Sequence, residues 1–241
     1  MKFVPRLFIE NVLGTDATVE LSKAHSHYLF NVLRLGNGDS FLAFDGKNGE
    51  WQMFVIEAAK KHGICKCVGQ TRGQDTLPNL TLYFAPIKGH RNDAIIEKAT
   101  ELGVAVIAPI ITEHTIVRKT NSEKMRQIAI EAAEQCERLS IPQIQDAMTL
   151  EQLLSNGAQD QVLIFADEAA CGRFDAQILS GLAENIGLLV GPEGGFSKIE
   201  RERILARPNT LSISLGGRIL RADTAVFAGL TLIQALWGDW K

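Results

Sequence analysis

The sequence predicts an α/β protein with a mainly parallel sheet covered by helices on both faces, preceded by a small β-barrel-like module. From residue 80 onward, strands that are apolar on both faces alternate with helical segments, which is typical of a buried parallel sheet. Before residue 72, several short strands accompany one helical segment, which favours a small barrel. We therefore expect two domains, residues 1–72 and residues 73–241.

The front module is predicted from short strands and one hairpin. The turn DGKNGE contains Gly46, Asn48 and Gly49, which suit a hairpin between two of these strands. The stretch Arg72–Asn79 combines Gly, Pro and polar residues, which is typical of a linker. The predicted elements of the module are strands at Phe3–Ile9, Asp39–Phe44, Trp51–Ala58 and Ile64–Thr71, and a helix at His25–Leu33.

The second domain shows longer apolar strands and helices with recognisable ends. Gly103 closes the helix that follows the first strand, and Ser197 with Glu200 three residues later predicts a capping box. A helix is predicted from Ser122 to about Cys136, and the apolar segment Ala225–Trp237 predicts a buried helix. The predicted strands are Leu80–Ile87, Val104–Ile111, Gln161–Asp167, Ile186–Pro192 and Thr210–Gly216.

The sequence predicts no transmembrane helix and favours a reduced, cytoplasmic protein. No run of about 18 uncharged apolar residues is present, and the first residues lack the apolar core of a secretory signal. The four cysteines are scattered and form no C-x-x-C pair. His25, His27, Cys65 and Cys67 match no standard zinc spacing, so we expect no metal.

The net charge of −3 argues against a nucleic-acid binder, but the charge is unevenly distributed. Residues 1–72 carry nine Lys and Arg against seven Asp and Glu, a net of +2. Arg6, Arg34 and Arg72 belong to a possible basic patch for RNA. A solvated surface without a partner explains the same residues equally well.

Three predicted strands end in unusual segments: FADE (Phe165–Glu168), GPEGG (Gly191–Gly195) and LGGRILRADTA (Leu215–Ala225). Ligands of open α/β sheets bind beyond the carboxyl ends of the strands. The central charge of the second segment is Glu193, which would repel a phosphate, and no G-x-G-x-x-G fingerprint is present. A neutral or cationic ligand held by backbone is therefore favoured. The alternatives are a simple strand-to-helix turn and an arginine loop that caps carboxylates.

Taken together, the segments resemble the RsmE family of ribosomal RNA uridine methyltransferases in the SPOUT superfamily. The resemblance rests on GPEGGFS with LGGRILRADTA, and extends to FAPIKGHRNDAIIEKATELG (Phe84–Gly103), PIITE (Pro109–Glu113) and IEAAEQ (Ile130–Gln135). HSHYLFNVLRLGNGD, from His25 to Asp39, resembles the family's front segment. The similarity thus covers nearly the whole chain.

The resemblance implies a PUA-like RNA-binding barrel followed by a SPOUT domain with a C-terminal trefoil knot, an exception to unknotted connections. It also implies an S-adenosylmethionine pocket formed by the knot loops. The aliphatic Leu215, Ile219 and Leu220 are expected to sandwich the adenine. The implied cofactor-binding residues are Phe165, Ala166, Asp167, Glu168, Val190, Gly191, Pro192, Glu193, Gly194, Gly195, Leu215, Gly216, Arg218, Ile219, Leu220, Arg221, Thr224 and Ala225.

The family reaction is methyl transfer to N3 of a uridine in 16S ribosomal RNA of the small subunit. Arg221 is the first candidate to stabilise the uridine anion, its alternative role being an ion pair with Asp223 or Glu193. Glu193, Glu97 and Glu101 are weaker candidates for a base, and surface or dimer salt bridges are favoured for Glu97 and Glu101. Lys88 and Arg91 are further candidates for RNA contact, and the family resemblance implies a homodimer. The alternative functions are those of a non-catalytic RNA-binding or ribosome-assembly protein that retains the fold and of a dinucleotide-dependent enzyme.

Overall fold

The computed structural model describes residues 4–59, 62–156, 160–170 and 184–240. The chain divides into two compact units. Unit 1 contains residues 1–76 and 133–140, and unit 2 contains residues 77–132 and 141–241. The short segment 133–140, which the sequence pattern places in the second domain, therefore belongs to the first unit.

Unit 1 is built on a five-stranded sheet in the order β1-β3-β4-β5-β2. The long hairpin of β4 and β5 is antiparallel, and β1 pairs parallel with β3. The predicted strands are all present, and β2 is an additional three-residue strand that antiparallel pairing with β5 places at the sheet edge. The bounds are Arg6–Phe8 (β1), Thr18–Glu20 (β2), Ser40–Phe44 (β3), Glu50–Ala59 (β4) and His62–Arg72 (β5).

The predicted helix at His25–Leu33 is divided in two. A short α-helix, α1 (Lys23–Ser26), is capped by the Ser22 side chain and continues as a π-helical segment, His27–Val32. Cys65 and Cys67 lie on one face of β5, as their spacing predicts, and both are buried in the apolar core of unit 1. Burial raises the pKa of the Cys65 thiol to about 12, which keeps it protonated and inert.

A buried ion cluster joins the first strand to the segment 133–140 within unit 1. Arg6 Nε donates to Glu50 Oε2 at 2.6 Å, and its other nitrogens donate to the carbonyls of Ala133 and Arg138. The Arg6 side chain is only 7% exposed. The prediction that Arg6 contacts RNA is therefore wrong, because its donors are used inside the fold. Arg72 also donates to Glu50, at 3.0 Å, although 41% of its side chain is exposed.

Unit 2 contains a parallel sheet in the order β12-β10-β11-β6-β7-β8, with β9 also paired to β7. All strand pairs in the described part of unit 2 are parallel, which confirms the predicted mainly parallel α/β sheet. The bounds are Asn79–Phe84 (β6), Val106–Ile111 (β7), Gln143–Ile144 (β8), Met148–Thr149 (β9), Val162–Ala166 (β10), Asn185–Val190 (β11) and Thr210–Ile213 (β12).

Helices cover both faces of this sheet, because alternate strand residues point to opposite sides. Leu80, Leu82 and Phe84 face one core, and Tyr83 faces the other. Side chains of α2, α3 and α6 pack in the first core, and those of α4 and α5 in the second. The helices are His90–Glu101 (α2), Ser122–Gln135 (α3), Leu150–Asn156 (α4), Lys198–Ala206 (α5) and Ala222–Leu236 (α6).

Helix α5 begins with the predicted capping box. The Ser197 side chain accepts from the Glu200 amide, and the Glu200 side chain accepts from the Ser197 amide. Helix α6 is less enclosed than predicted: Val226, Leu230 and Ile233 are buried, but Thr231 and Ala235 are exposed. Among the described residues, no helix has the length and apolarity needed to cross a membrane.

We expect Glu50→Gln to destabilise the protein by about 3–5 kcal/mol, because the variant leaves the Arg6 guanidinium buried without a counter-charge. Burial raises the pKa of Glu50, but bonds from Arg72, Arg6 and Thr71 outweigh it, so the folded pKa lies below the ordinary 4.5. A lowered folded pKa means that this stabilisation is present above pH 4.5 and is lost as pH falls through the folded pKa.

Urea unfolding between pH 3 and pH 7 measures both effects. Glu57→Gln is the control, since Glu57 lies exposed on the same strand. Equal unfolding free energies for the two variants would contradict a stabilising role for the Glu50 cluster.

Candidate functional site

A cavity of about 550 Å³ lies at the carboxyl ends of β10, β11 and β12. These three strands are neighbours and parallel, so the loops that follow them leave the sheet at one edge. Each loop supplies one section of the cavity wall. The volume lies within the range of about 300–1,000 Å³ that small-molecule and cofactor sites occupy.

The loop after β10 is fixed by a buried carboxylate. Asp167 is 2% exposed and accepts bonds from Arg201 at 2.8 Å, from Ser212 Oγ at 3.0 Å and from the Ala169 amide at 3.1 Å. Burial alone would raise the pKa of Asp167, but these hydrogen bonds outweigh it, so the pKa lies below its ordinary value. Asp167 is therefore a charged anchor for this loop, while the exposed Glu168 follows it in the wall.

The turn after β11 approaches its surroundings closely at glycine positions. A Cβ on Gly191 would lie 2.5 Å from the ring of Phe196. The Phe196 ring packs edge-on against the Phe165 ring, with the two ring centroids 5.2 Å apart. Gly195 has a φ of +66°, a left-handed conformation that favours glycine. The sequence of this turn is thus dictated by backbone shape, as predicted from GPEGG.

Two side chains from other loops hold this turn from outside. Arg91, in the first turn of α2, pairs with Glu193 at 2.6 Å. His114, in the loop after β7, donates from Nδ1 to the Gly194 carbonyl at 2.9 Å and approaches the Gly195 carbonyl at 3.2 Å. His114 is not among the residues predicted from the sequence, since a single His in a loop carries no pattern that identifies it.

The segment after β12 forms the third section of wall. Gly216 has a φ of +108°, and the side chain of Ile219 is 89% exposed. Leu215, Ile219 and Leu220 all line the cavity, so the aliphatic residues expected around an adenine ring do lie together. The start of α6 contributes two small residues, Ala222 and Ala225.

The structure brings most of the predicted cofactor residues into one wall. Gly194, Arg221 and Thr224 are not wall residues, although each has neighbours in the chain that are. Seven further residues line the cavity without having been predicted as cofactor-binding: Ala169, Ala170, Phe196, Arg201, Ser214, Gly217 and Ala222. The predicted residues that do line the cavity are Phe165, Ala166, Asp167, Glu168, Val190, Gly191, Pro192, Glu193, Gly195, Leu215, Gly216, Arg218, Ile219, Leu220 and Ala225.

Arg221 directly precedes helix α6, and its side chain is exposed. No ion pair joins it to Asp223, to Glu193 or to any other carboxylate of the described ranges. Glu193 is instead paired with Arg91, and Glu97 and Glu101 both contact Lys98 at 2.8 Å, as expected for surface salt bridges. Arg221 is thus a charged group at the rim whose donors are available.

The remaining predicted RNA contacts lie in different places. Arg34, in unit 1, is exposed and has a φ of +60°. Lys88, in unit 2, is exposed in the loop between β6 and α2. Arg91 is 28% exposed and committed to Glu193.

The cavity suits a ligand that is apolar in part and neutral or cationic in charge. Its walls combine aliphatic side chains with glycine backbone, and its carboxylates, Asp167, Glu168 and Glu193, disfavour an anion such as a triphosphate. Backbone amides and carbonyls that glycine leaves accessible can bind a heteroaromatic ring edge-on.

Two family models match the chain. The model described as an RNA methyltransferase domain matches residues 75–234, and the model described as an RNA methyltransferase PUA domain matches residues 21–66. The first model alone covers more than half of the chain.

Curated relatives and solved structures agree with these models. The ribosomal RNA small subunit methyltransferase E of Rickettsia conorii is 34% identical over 96% of this chain and 95% of its own. The protein of the same name from Synechocystis is 35% identical over 92% of this chain and 74% of its own. A crystal structure of that enzyme from Neisseria gonorrhoeae, bound to S-adenosyl methionine, has a TM-score of 0.90 at 27% identity and covers 99% of this chain and 100% of its own. The chain therefore belongs to the ribosomal RNA small subunit methyltransferase E family, in agreement with the resemblance seen in its sequence.

Proposed function

We propose that this protein transfers the methyl group of S-adenosylmethionine to N3 of a uridine in 16S ribosomal RNA of the small subunit. The observation that carries the proposal is the cavity at the ends of β10, β11 and β12, which combines glycine backbone, aliphatic walls and carboxylates. Family membership and the S-adenosyl methionine bound in the Neisseria structure support the same ligand.

The residues present fit this cofactor. The aliphatic Leu215, Ile219 and Leu220 suit the faces of an adenine ring, and the turn Gly191–Gly195 allows backbone to approach its edge. When bound, the cofactor supplies a methyl group on a positively charged sulfonium. Carboxylates such as Glu193 and Glu168, which would repel a phosphate, are compatible with that charge.

Arg221 is proposed to stabilise the negative charge that the uridine develops as it loses its N3 proton. The wall residues Leu220 and Ala222 flank it in the chain, and its exposed guanidinium has no carboxylate partner in the described ranges. A guanidinium remains charged at any physiological pH. Arg221 therefore acts on the substrate rather than on the cofactor, which accounts for its position outside the wall.

Glu193 and Arg91 are proposed to work as a pair at the turn after β11. The Glu193 carboxylate lies in the wall, where it can accept a proton or a hydrogen bond from a substrate base. Arg91 holds it at 2.6 Å and restricts the positions it can take. Arg91 is a positioning residue in this proposal, since its contact is with Glu193.

The proposal includes a trefoil knot, a homodimer and a cytoplasmic location. The family resemblance supports the knot. The exposed surface of α6 supports the dimer, because Thr231 and Ala235 lie on it and Asp223 is the single charged residue within the helix. A cytoplasmic location follows from a ribosomal RNA substrate.

The decisive test incubates the protein and methyl-labelled S-adenosylmethionine with small subunits from a strain that lacks this methyltransferase. We expect label in 16S ribosomal RNA, in a nucleoside that comigrates with N3-methyluridine after digestion. A protein that only binds the subunit during assembly leaves the RNA unlabelled, and label in another nucleoside would contradict the assigned position.

We expect Gly191→Ala to weaken S-adenosylmethionine binding by about tenfold or more, which corresponds to about 1.4 kcal/mol. The added Cβ would lie 2.5 Å from the Phe196 ring, so the turn must shift in the cavity wall. Isothermal titration calorimetry measures the dissociation constant. Gly14→Ala is the control, since a Cβ at Gly14 meets nothing within 4 Å. Unchanged affinity in Gly191→Ala would separate the turn from the cofactor site.

We expect Arg221→Ala to lower kcat by about 10²–10³, the loss typical of a group that stabilises developing negative charge. The dissociation constant for S-adenosylmethionine should remain that of the unmodified protein, because Arg221 lies outside the cavity wall. Arg203→Ala is the control, since Arg203 is exposed on α5 and paired with Glu151. Near-normal turnover by Arg221→Ala would rule out its catalytic assignment.

A further inference from the structure

Basic side chains without carboxylate partners collect at the carboxyl edge of the unit 2 sheet. They lie in the loops that follow β6, β7 and β12, and each side chain is exposed. Within the described ranges, none of them forms an ion pair. These residues are Lys88, Arg118, Lys119, Arg218 and Arg221.

The carboxylates of the same edge are partly neutralised. Asp167 is paired with Arg201 and Glu193 with Arg91. The described loops at the amino edge of the sheet carry instead the exposed acids Asp160 and Glu184. The edge that carries the cavity thus presents five exposed basic side chains beside the exposed Glu113 and Glu168, although the chain as a whole has a charge of −3.

The loop after β7, residues 112–119, is fixed directly against the Glu193–Gly195 turn, of which Glu193 and Gly195 line the cavity. His114 binds the carbonyl of Gly194 at 2.9 Å, and the Glu113 amide donates to Glu200 at 2.8 Å. A carbonyl only accepts, so the His114 ring carries its proton on Nδ1. The loop and the turn Glu193–Gly195 therefore form one continuous surface.

Arg118 folds back over this loop. Its Nη2 lies 3.3 Å from the Glu113 carbonyl and 3.4 Å from the Thr112 carbonyl, long contacts that leave most of its five donors available. Lys119 follows it and is exposed. Because Glu113 adjoins His114, the Arg118 charge lies close to the wall of the cavity. Two cations are thereby presented together beside the Glu193–Gly195 turn.

We propose that the loop 112–119, with Arg118 and Lys119, binds phosphates of the RNA strand that carries the target base. The RNA would then enter the site across the Glu193–Gly195 turn. The occupant is an anionic polymer, because the cofactor is cationic at its reactive sulfur and gives no reason for unpaired cations outside its cavity. This inference rests on the proposed function, and it assigns the substrate's path to Arg118 and Lys119, which lie outside the quoted family motifs and outside the cavity wall.

The test compares the double variant Arg118→Gln/Lys119→Gln with Lys98→Gln/Arg203→Gln in the full chain. The control also removes two positive charges, but Lys98 and Arg203 already pair with Glu101 and Glu151. Binding to small subunits and to 16S ribosomal RNA is measured from 50 to 300 mM KCl. Cofactor affinity is measured by calorimetry, and transfer is measured as KM and kcat.

For Arg118→Gln/Lys119→Gln we expect weaker RNA binding and a raised KM for small subunits, with kcat and cofactor affinity unchanged. Loss of two phosphate contacts should make the slope of log K against log salt shallower by about 1.4–1.8. The control should keep the slope of the unmodified protein.

Two outcomes overturn the inference. One is a salt slope that matches that of the control, which shows that the two cations meet no phosphate. The other is a loss of cofactor affinity, which shows that the loop acts on the cavity instead. Failure of the proposed function is separate, since it appears as absence of methyl transfer by the unmodified protein, while the salt slope still tests the RNA surface.

Discussion

The candidate site depends on one constraint: three neighbouring parallel strands end level with one another. Phe165 of β10 is in register with Leu189 of β11 and with Ser212 of β12. Because the strands are parallel, the three following loops all begin at the carboxyl ends of the strands. They therefore lie next to one another. The three loops thereby meet to form one cavity.

Charged side chains and backbone have separate roles in this arrangement. Asp167 with Arg201, Glu193 with Arg91, and His114 with the Gly194 carbonyl all fix loops from the side or from outside. Glycine backbone and small or aliphatic side chains make up much of the remaining cavity wall, which also contains Asp167, Glu168 and Glu193. Because the two charged side chains of each ion pair bind each other, they do not compete with the ligand for hydrogen-bond donors.

The sequence predicts what depends on local chemistry and misses what depends on distant partners. Gly195 and Gly216 are recognisable because their backbone geometry admits few other residues. The capping box of Ser197 and Glu200 is similarly local, and it is present. The prediction of RNA contact by Arg6 is wrong because the sequence near Arg6 does not reveal its partner, Glu50, which comes much later in the chain. His114 was not predicted for the same reason, since its contacts are with Gly194 and Gly195, about 80 residues later in the chain.

Net charge gives a poor account of this molecule because electrostatic influence is local. At physiological ionic strength, exposed charges are largely screened beyond about 8 Å. The acids at the amino edge of the sheet therefore contribute little at the opposite edge, where Arg118, Lys119 and Arg221 are exposed. Pairing matters as much as distance, because Arg91 and Arg201 form ion pairs with two of the three carboxylates in the cavity wall. An acidic protein can in this way present a basic edge to RNA while its cavity keeps the carboxylates that suit a cationic ligand.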